Sequence, residues 1–248
     1  MRWKEWTDVR ITSAQLYDCL MNRERITRLE GQIQFVLGDV QIIVKQRDVV
    51  GNIIQAWLEG WIRKRGIDYA PSTNTQMPPD FFLNPQDLTK DLLEVKAFNI
   101  EGTPGFDIAD FRMYAEEIVE KPYMLDVDYL VFGYHMSPGG IVTIRNLWLK
   151  KVWELTRRMD DWPLNLQIKA NVVHKIRPGK FYGEGRRGSH PMFRSMEDFL
   201  SAVEATVYQN PKTHDTAGRW KRNFLRSYEM YYGQKIKIPR WDDIEDTY

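Results

Sequence analysis

Apolar residues along this chain follow two periods, and the points where one gives way to the other mark its elements. Val9, Ile11, Leu16, Leu20 and Met21 predict a helix over residues 13–25, with Ser13 as its N-cap. Ile33, Phe35 and Leu37, then Val40, Ile42 and Val44, recur at every second position around Leu37-Gly38-Asp39, the pattern of a hairpin. Residues 48–62 return to helical spacing, with apolar side chains at positions 50, 53, 54, 57, 58, 61 and 62 and Gly66 as the stop. A polar loop with three prolines covers residues 71–79. Phe81-Phe82-Leu83 reads as a short buried strand, 84–87 as a turn, 92–98 as the next strand and 99–105 as a loop. A helix over 106–120 is stopped by Pro122, and strands follow at 128–134 and 141–144. Trp148, Val152, Trp153 and Leu155 predict a helix over 147–158. Residues 164–176 are strand-like and basic, and a glycine-rich basic loop runs over 178–191. Ser195 caps a helix over 195–208, with Asp198 at N3, and a last helix covers 220–232 before an extended tail. There are no repeats and no composition shift, so one domain is expected over 1–248.

Two of these runs carry charges where apolar residues belong. Asp80 stands before Phe81-Phe82, and Glu94-Val95-Lys96 interrupts Leu92 to Phe98, with thirteen residues between Asp80 and Glu94. Successive side chains of a strand point to opposite faces, so Glu94 and Lys96 share one face and Val95 takes the other. Two carboxylates converging with an ammonium suit a hard divalent cation, with the lysine near a water: the equipment for hydrolysing a phosphodiester. The blander alternative is a cross-strand ion network.

Composition narrows the class. Apolar residues at 43% and charged residues at 28% describe a globular chain with a substantial core. Nine Trp and twelve Tyr place some aromatic surface on a binding face. Net charge is only +1, but residues 145–187 hold eleven Lys/Arg against four Asp/Glu, which leaves about −6 for the rest and points to a basic patch for a polyanion. A single cysteine, Cys19, excludes an intrachain disulfide and a cysteine-based zinc site. No apolar h-region follows Met1, and no run has the length of a membrane span; a cytoplasmic protein is expected.

Pro79-Asp80 with Glu94-Val95-Lys96 resembles the PD-(D/E)XK nuclease superfamily, and within it the type II restriction endonucleases. Gly51 to Gln55 resembles the family's Gly-x-x-x-Glu on the helix before the active strand, with Gln55 standing where many members have Glu. Leu166 to Lys169 and Lys175 to Pro178 resemble a downstream segment of some restriction enzymes. The order of loops is similar to the EcoRV-like branch, and the pattern also resembles the NgoBV/NlaIV-type enzymes. The resemblance covers roughly residues 48–200. It implies an α/β core with a central mixed sheet flanked by helices, a catalytic core over about 48–178, a recognition loop over about 179–191 and a helical region over 195–248. It also implies Mg²⁺ held by Asp80, Glu94 and the Val95 carbonyl, with Lys96 orienting the attacking water. Gln55 and Glu59 are accessory candidates, with Asp48 as a further carboxylate on the same stretch. A homodimer cutting double-stranded DNA beside a matching methyltransferase completes what the resemblance implies.

Arg186, Arg187 and Glu184 in the glycine-rich loop have the donor and acceptor patterns that read guanine and cytosine edges. Lys180 and Ser189 flank them. Asn74, Thr75 and Gln76 are candidate minor-groove contacts, and Lys169 and Arg177 candidate phosphate contacts. Against each stands an ordinary solvated role. Two other functions stay open beside restriction: a repair nickase or junction resolvase on the same fold, and a DNA-binding module without chemistry.

Overall fold

A computed structural model describes residues 10–74, 77–170, 172–183 and 189–248. In chain order, α1 (Ser13–Asp18) leads through a π-helical turn to β1 (Glu30–Gln32), β2 (Gln34–Leu37) and β3 (Val40–Ile43). Next come α2 (Val50–Lys64), β4 (Ala70–Pro71), β5 (Phe81–Phe82), β6 (Leu92–Asn99), β7 (Ala109–Asp110) and α3 (Phe111–Glu120). Then follow β8 (Asp128–Met136), β9 (Ile141–Lys150), α4 (Val152–Leu155), β10 (Leu166–Lys169) and β11 (Val172–Ile176). The chain closes with α5 (Met196–Gln209), α6 (His214–Tyr232) and α7 (Trp241–Ile244).

These elements form two compact units, one from residues 1–73, 79–104 and 128–150, the other from 74–78, 105–127 and 151–248, as far as described. Each unit is assembled from three separated stretches, which is why no composition shift marks a boundary.

The first unit is a six-stranded mixed sheet in the order β1-β9-β8-β6-β5-β4, with the hairpin β2–β3 beside it. Only β6 and β8 run parallel, with Glu94 opposite Tyr129 and Lys96 opposite Val131. The other pairs of this sheet are antiparallel. β6 and β8 read as nearly continuous apolar runs because both their faces are covered. α2 buries Val50, Ile54, Leu58, Trp61 and Ile62, an i, i+4, i+8, i+11, i+12 stripe facing the core. Arg63 and Lys64 lie in its last turn, where cations favour the negative end of the helix, and Gly66 adopts φ +63° just beyond it. Gly38 at φ +61° turns the β2–β3 hairpin, as its sequence pattern predicts.

Three expectations are corrected here. The first helix is capped by Thr12, not Ser13: Thr12 Oγ1 accepts from the Gln15 N–H at 3.2 Å, and Gln15 Oε1 accepts from the Thr12 N–H at 2.9 Å. The predicted strand 141–144 and helix 147–158 are instead the ten-residue strand β9 and the short α4. β8 supplies a full row of partners, with Trp148 opposite Val131 and Leu149 opposite Leu130, and the Trp148 ring stacks on Phe98 at 5.9 Å. Pairing and packing override a helical-looking spacing. The third correction belongs to the second unit. There α3 begins at Phe111, not 106, because Asp110 caps it through Met113 N–H at 3.1 Å while Ala109–Asp110 pair with β11.

The second unit packs α3, α5 and α6 with the sheet β10-β11-β7. The strand-like run 164–176 divides into the hairpin β10–β11, turned next to Ala170 at φ +48°. Ser195 caps α5 as predicted, accepting from the Asp198 N–H at 3.1 Å. α6 begins at His214, six residues before the predicted start.

One glycine of the first sheet is a packing requirement. A Cβ on Gly133 of β8 would meet Trp148 Cζ3 at 2.9 Å and Ile100 Cδ1 at 3.0 Å. The rings behind it are already stacked, so Gly133→Ala is expected to cost about 1–3 kcal/mol, read as a lower thermal midpoint with the hairpin and helix content unchanged.

Candidate active site

β5 and β6 bring the predicted residues together. Asp80 immediately precedes β5, and its backbone is held on both sides: its N–H donates to Leu93 O at 3.0 Å and its carbonyl accepts from Ser72 N–H at 2.9 Å. The Asp80 carboxylate is held as firmly. Oδ2 accepts from the Val95 N–H at 2.8 Å, and Oδ1 accepts from Gln55 Nε2 on α2, also at 2.8 Å. On β6, Glu94 and Lys96 share a face as strand geometry requires, with Lys96 Nζ 2.7 Å from Glu94 Oε1.

Glu94 is 5% exposed, and its Oε2 has no hydrogen-bond partner among the described residues. Burial pushes its carboxyl up to about 7, helped by the neighbouring Asp80 charge and opposed by Lys96. Burial also raises Asp80, against the Val95 N–H, the Lys96 charge and Gln55. A buried carboxylate oxygen without a donor is costly unless something positive joins it.

The accessory residues separate. Gln55 reaches the cluster and serves Asp80 as a donor. Glu59 lies one turn further along α2, where its Oε1 accepts from Arg63 and from Tyr69 Oη at 2.8 Å. Asp48 is exposed ahead of α2. No group of three or more His, Cys, Asp or Glu side chains is gathered among the described residues, so the cluster offers two carboxylates. Gln55→Ala is expected to free Asp80 Oδ1 and slow cleavage about 10–100-fold, the usual effect of losing a group that orients a ligand, measured as single-turnover cutting of one plasmid site.

The described candidate DNA contacts lie in the second unit. Asn74, Lys169, Lys180 and Ser189 are exposed. The Lys180 ammonium lies 5.7 Å from the Tyr182 ring centroid. Arg177 is engaged internally, paired with Asp107 and donating to Gly105 O at 2.8 Å. Lys175 pairs with Asp110 at 3.7 Å, and Arg158 Nη1 donates to Glu245 O at 3.0 Å. Part of the basic excess read from 145–187 is therefore spent inside the fold. Thr75, Gln76, Glu184, Arg186 and Arg187 lie outside the described residues. One set went unnoticed in the sequence: Arg219, Arg222 and Arg226 are exposed at i, i+3, i+7 on α6, a stripe that helical periodicity alone reveals.

The mixed sheet that carries these side chains is the fold of a type II restriction endonuclease, and known proteins place the chain in that class. The model of the NgoBV restriction endonuclease family matches residues 10–248. The type II restriction enzyme NlaIV of Neisseria lactamica is 59% identical over 240 residues, 97% of this chain and 98% of that protein. The type II restriction enzyme NgoBV of Neisseria gonorrhoeae is 56% identical over 161 residues, 65% of this chain and 91% of that protein. A solved structure of the NlaIV restriction endonuclease superposes with a TM-score of 0.93, covering 97% of both chains at 59% identity. The chain belongs to the NgoBV restriction endonuclease family and is a site-specific deoxyribonuclease.

Proposed function

We propose that the chain hydrolyses one phosphodiester in each strand of duplex DNA at a short palindromic sequence, as a Mg²⁺-dependent homodimer. The observation that carries this reading is the buried Glu94 with its partnerless Oε2, set beside an Asp80 already fixed by two hydrogen bonds. A hard divalent cation fits this donor set. Asp80, Glu94 and the Val95 carbonyl would hold it, with water and a phosphate oxygen completing its shell. Bound there, it would supply Lewis-acid stabilisation of charge on the phosphate.

The side chains do the remaining work. Lys96, tied to Glu94 at 2.7 Å, presents a fixed positive charge to the water that attacks phosphorus and to the negative charge that develops there. Gln55 and the Val95 N–H keep Asp80 in one orientation, so no reorganisation is needed when substrate arrives. The palindrome and the dimer belong together, because two-fold protein symmetry mirrors a two-fold site. Lys169, Lys180 and the exposed arginines of α6 are suited to phosphates, and Glu184, Arg186 and Arg187 are residue types suited to base edges. A methyltransferase acting on the same sequence would protect the host DNA.

Digestion of a DNA of known sequence with Mg²⁺, followed by run-off sequencing of the ends, tests this. Discrete cuts in both strands at one short sequence are expected. Cutting confined to mismatched or branched DNA would replace the reading with a repair nuclease, and intact DNA that is still bound would leave a binding module.

A further inference from the structure

Pro178 and Pro191 bracket the glycine-rich run whose Glu184, Arg186 and Arg187 suit base edges. Glycine-rich backbone has little conformational preference of its own, so precise contacts made from such a run need its ends fixed from outside. Both ends are fixed on one short segment of the second unit, Leu155-Thr156-Arg157. On the outgoing side the Gly179 N–H donates to Leu155 O at 2.8 Å, and Thr156 Oγ1 donates to Arg177 O at 2.9 Å. Asn165 adds two bonds: its carbonyl accepts from the Arg177 N–H at 2.8 Å, and its Nδ2 donates to Pro178 O at 2.9 Å. On the returning side the Phe193 N–H donates to Thr156 O at 3.3 Å, and Met192 pairs with Arg157 as an isolated bridge. A Cβ on Gly179 would lie 2.5 Å from Met192 Cε, so the outgoing and returning ends touch.

A residue distant in sequence completes the clamp. Tyr248 is buried, and its Oη accepts from the Arg194 N–H at 3.2 Å and donates to Asp198 Oδ2 at 2.6 Å. Its ring packs on Phe193 with centroids 5.0 Å apart. Its backbone oxygen lies 2.5 Å from Nδ1 of His190, and Nε2 of the same ring lies 2.7 Å from Asp160 Oδ1. Residues 190, 193 and 194 on the returning side are therefore all tied to Tyr248. Thr156 is fully buried. A valine would fill the same space; what the hydroxyl adds is the bond to Arg177 O. None of these groups belongs to the Asp80/Glu94/Lys96 cluster, which lies in the first unit.

We propose that Thr156, Asn165 and Tyr248 are positioning residues for sequence discrimination, holding both ends of the 179–191 segment in place before DNA arrives. The proposal rests on the reading that this segment contacts base edges, and it names what makes those contacts selective. A segment fixed at both ends does not shift to suit a wrong base pair, so donors and acceptors facing that pair stay unmatched. A segment released at one end adjusts to wrong sites, and discrimination falls while the hydrolytic residues are untouched.

Single-turnover cleavage of the recognised sequence, and of the same duplex with one base pair changed, tests this through the ratio of the two rates. Thr156→Val and Tyr248→Phe are each expected to lower the ratio about tenfold, mainly by faster cutting of the altered site, with the recognised sequence cut within a few-fold of the wild-type rate. Thr156→Ser keeps the hydroxyl and is expected to keep the wild-type ratio. A role in stability alone would lower the thermal midpoint and leave the ratio unchanged. Arg186→Gln/Arg187→Gln is the control, expected to lower the ratio directly. If the control lowers it and either Thr156→Val or Tyr248→Phe does not, the proposal is overturned and the base-reading assignment stands. If the control does not lower it, that assignment is overturned and the proposal with it. Hydrogen exchange of the DNA-free wild type serves should a variant misfold. Amides of Arg177, Gly179, Phe193 and Arg194 are expected to exchange about 10²-fold more slowly than those of an unstructured chain, and unprotected amides there overturn the clamp.

Discussion

Lys96→Ala is expected to reduce cleavage about 10³-fold while leaving DNA affinity within a few-fold of wild type. The expectation follows from where the ammonium lies. It is 2.7 Å from a carboxylate oxygen inside the cluster, with 20% of its side chain exposed, so it serves the site and not the long-range attraction of DNA. Removing it also removes the charge that opposes the rise of the Glu94 pKa. The variant therefore holds a proton on Glu94 to higher pH, and its residual rate is expected to rise with pH further above neutrality than the wild-type rate does. Binding measured in Ca²⁺ and single-turnover cutting measured in Mg²⁺ separate the two effects. Equal losses in both would make Lys96 a phosphate contact.

Glu94→Gln has the second large effect, and it appears in stability as well as rate. The sign follows from proton binding. The folded carboxyl titrates near 7 and the unfolded one near 4.5, so between these values the native chain holds more protons. Stability from this group is present below pH 4.5 and is lost as pH rises towards 7, by on the order of 3 kcal/mol for a fully buried acid. Glutamine carries no such proton. The thermal midpoint of the metal-free wild type is expected to fall by several degrees relative to the variant between pH 5 and pH 7.5. Mg²⁺ is expected to return that stability to the wild type at pH 8 and to do nothing for Glu94→Gln, while cleavage by the variant falls by about 10³-fold. A midpoint difference that stays flat across this range would show that Glu94 titrates normally.

The gathering of Asp80, Glu94 and Lys96 was easier to read than the architecture that holds them. Asp80, Glu94 and Lys96 are charges set in apolar runs, and the two-residue period of a strand puts Glu94 beside Lys96 without further information. α2 and the Ser195 cap were equally legible, since their spacing and local hydrogen bonding decide them. β9 was not. Trp148, Val152 and Trp153 have helical spacing, but only Val152 and Trp153 are helical, and the row of partners on β8 makes the segment up to Lys150 a strand. The hairpin was legible as a hairpin, but its alternating apolar residues imply burial, and within one chain they are exposed. Gln55 shows the limit most clearly. By composition it is an amide where a carboxylate was expected; its role as the donor that orients Asp80 exists only once α2 is packed against β6.

The most direct measurement is digestion of one plasmid by wild type and Lys96→Ala from matched preparations, each with Mg²⁺ and with EDTA, at equal DNA occupancy. Linear product from wild type with Mg²⁺, and none on the same timescale in the other three reactions, is the expected result. Cutting by Lys96→Ala at the wild-type rate, or by wild type in EDTA, would contradict the assignment of Asp80, Glu94 and Lys96 as the hydrolytic site.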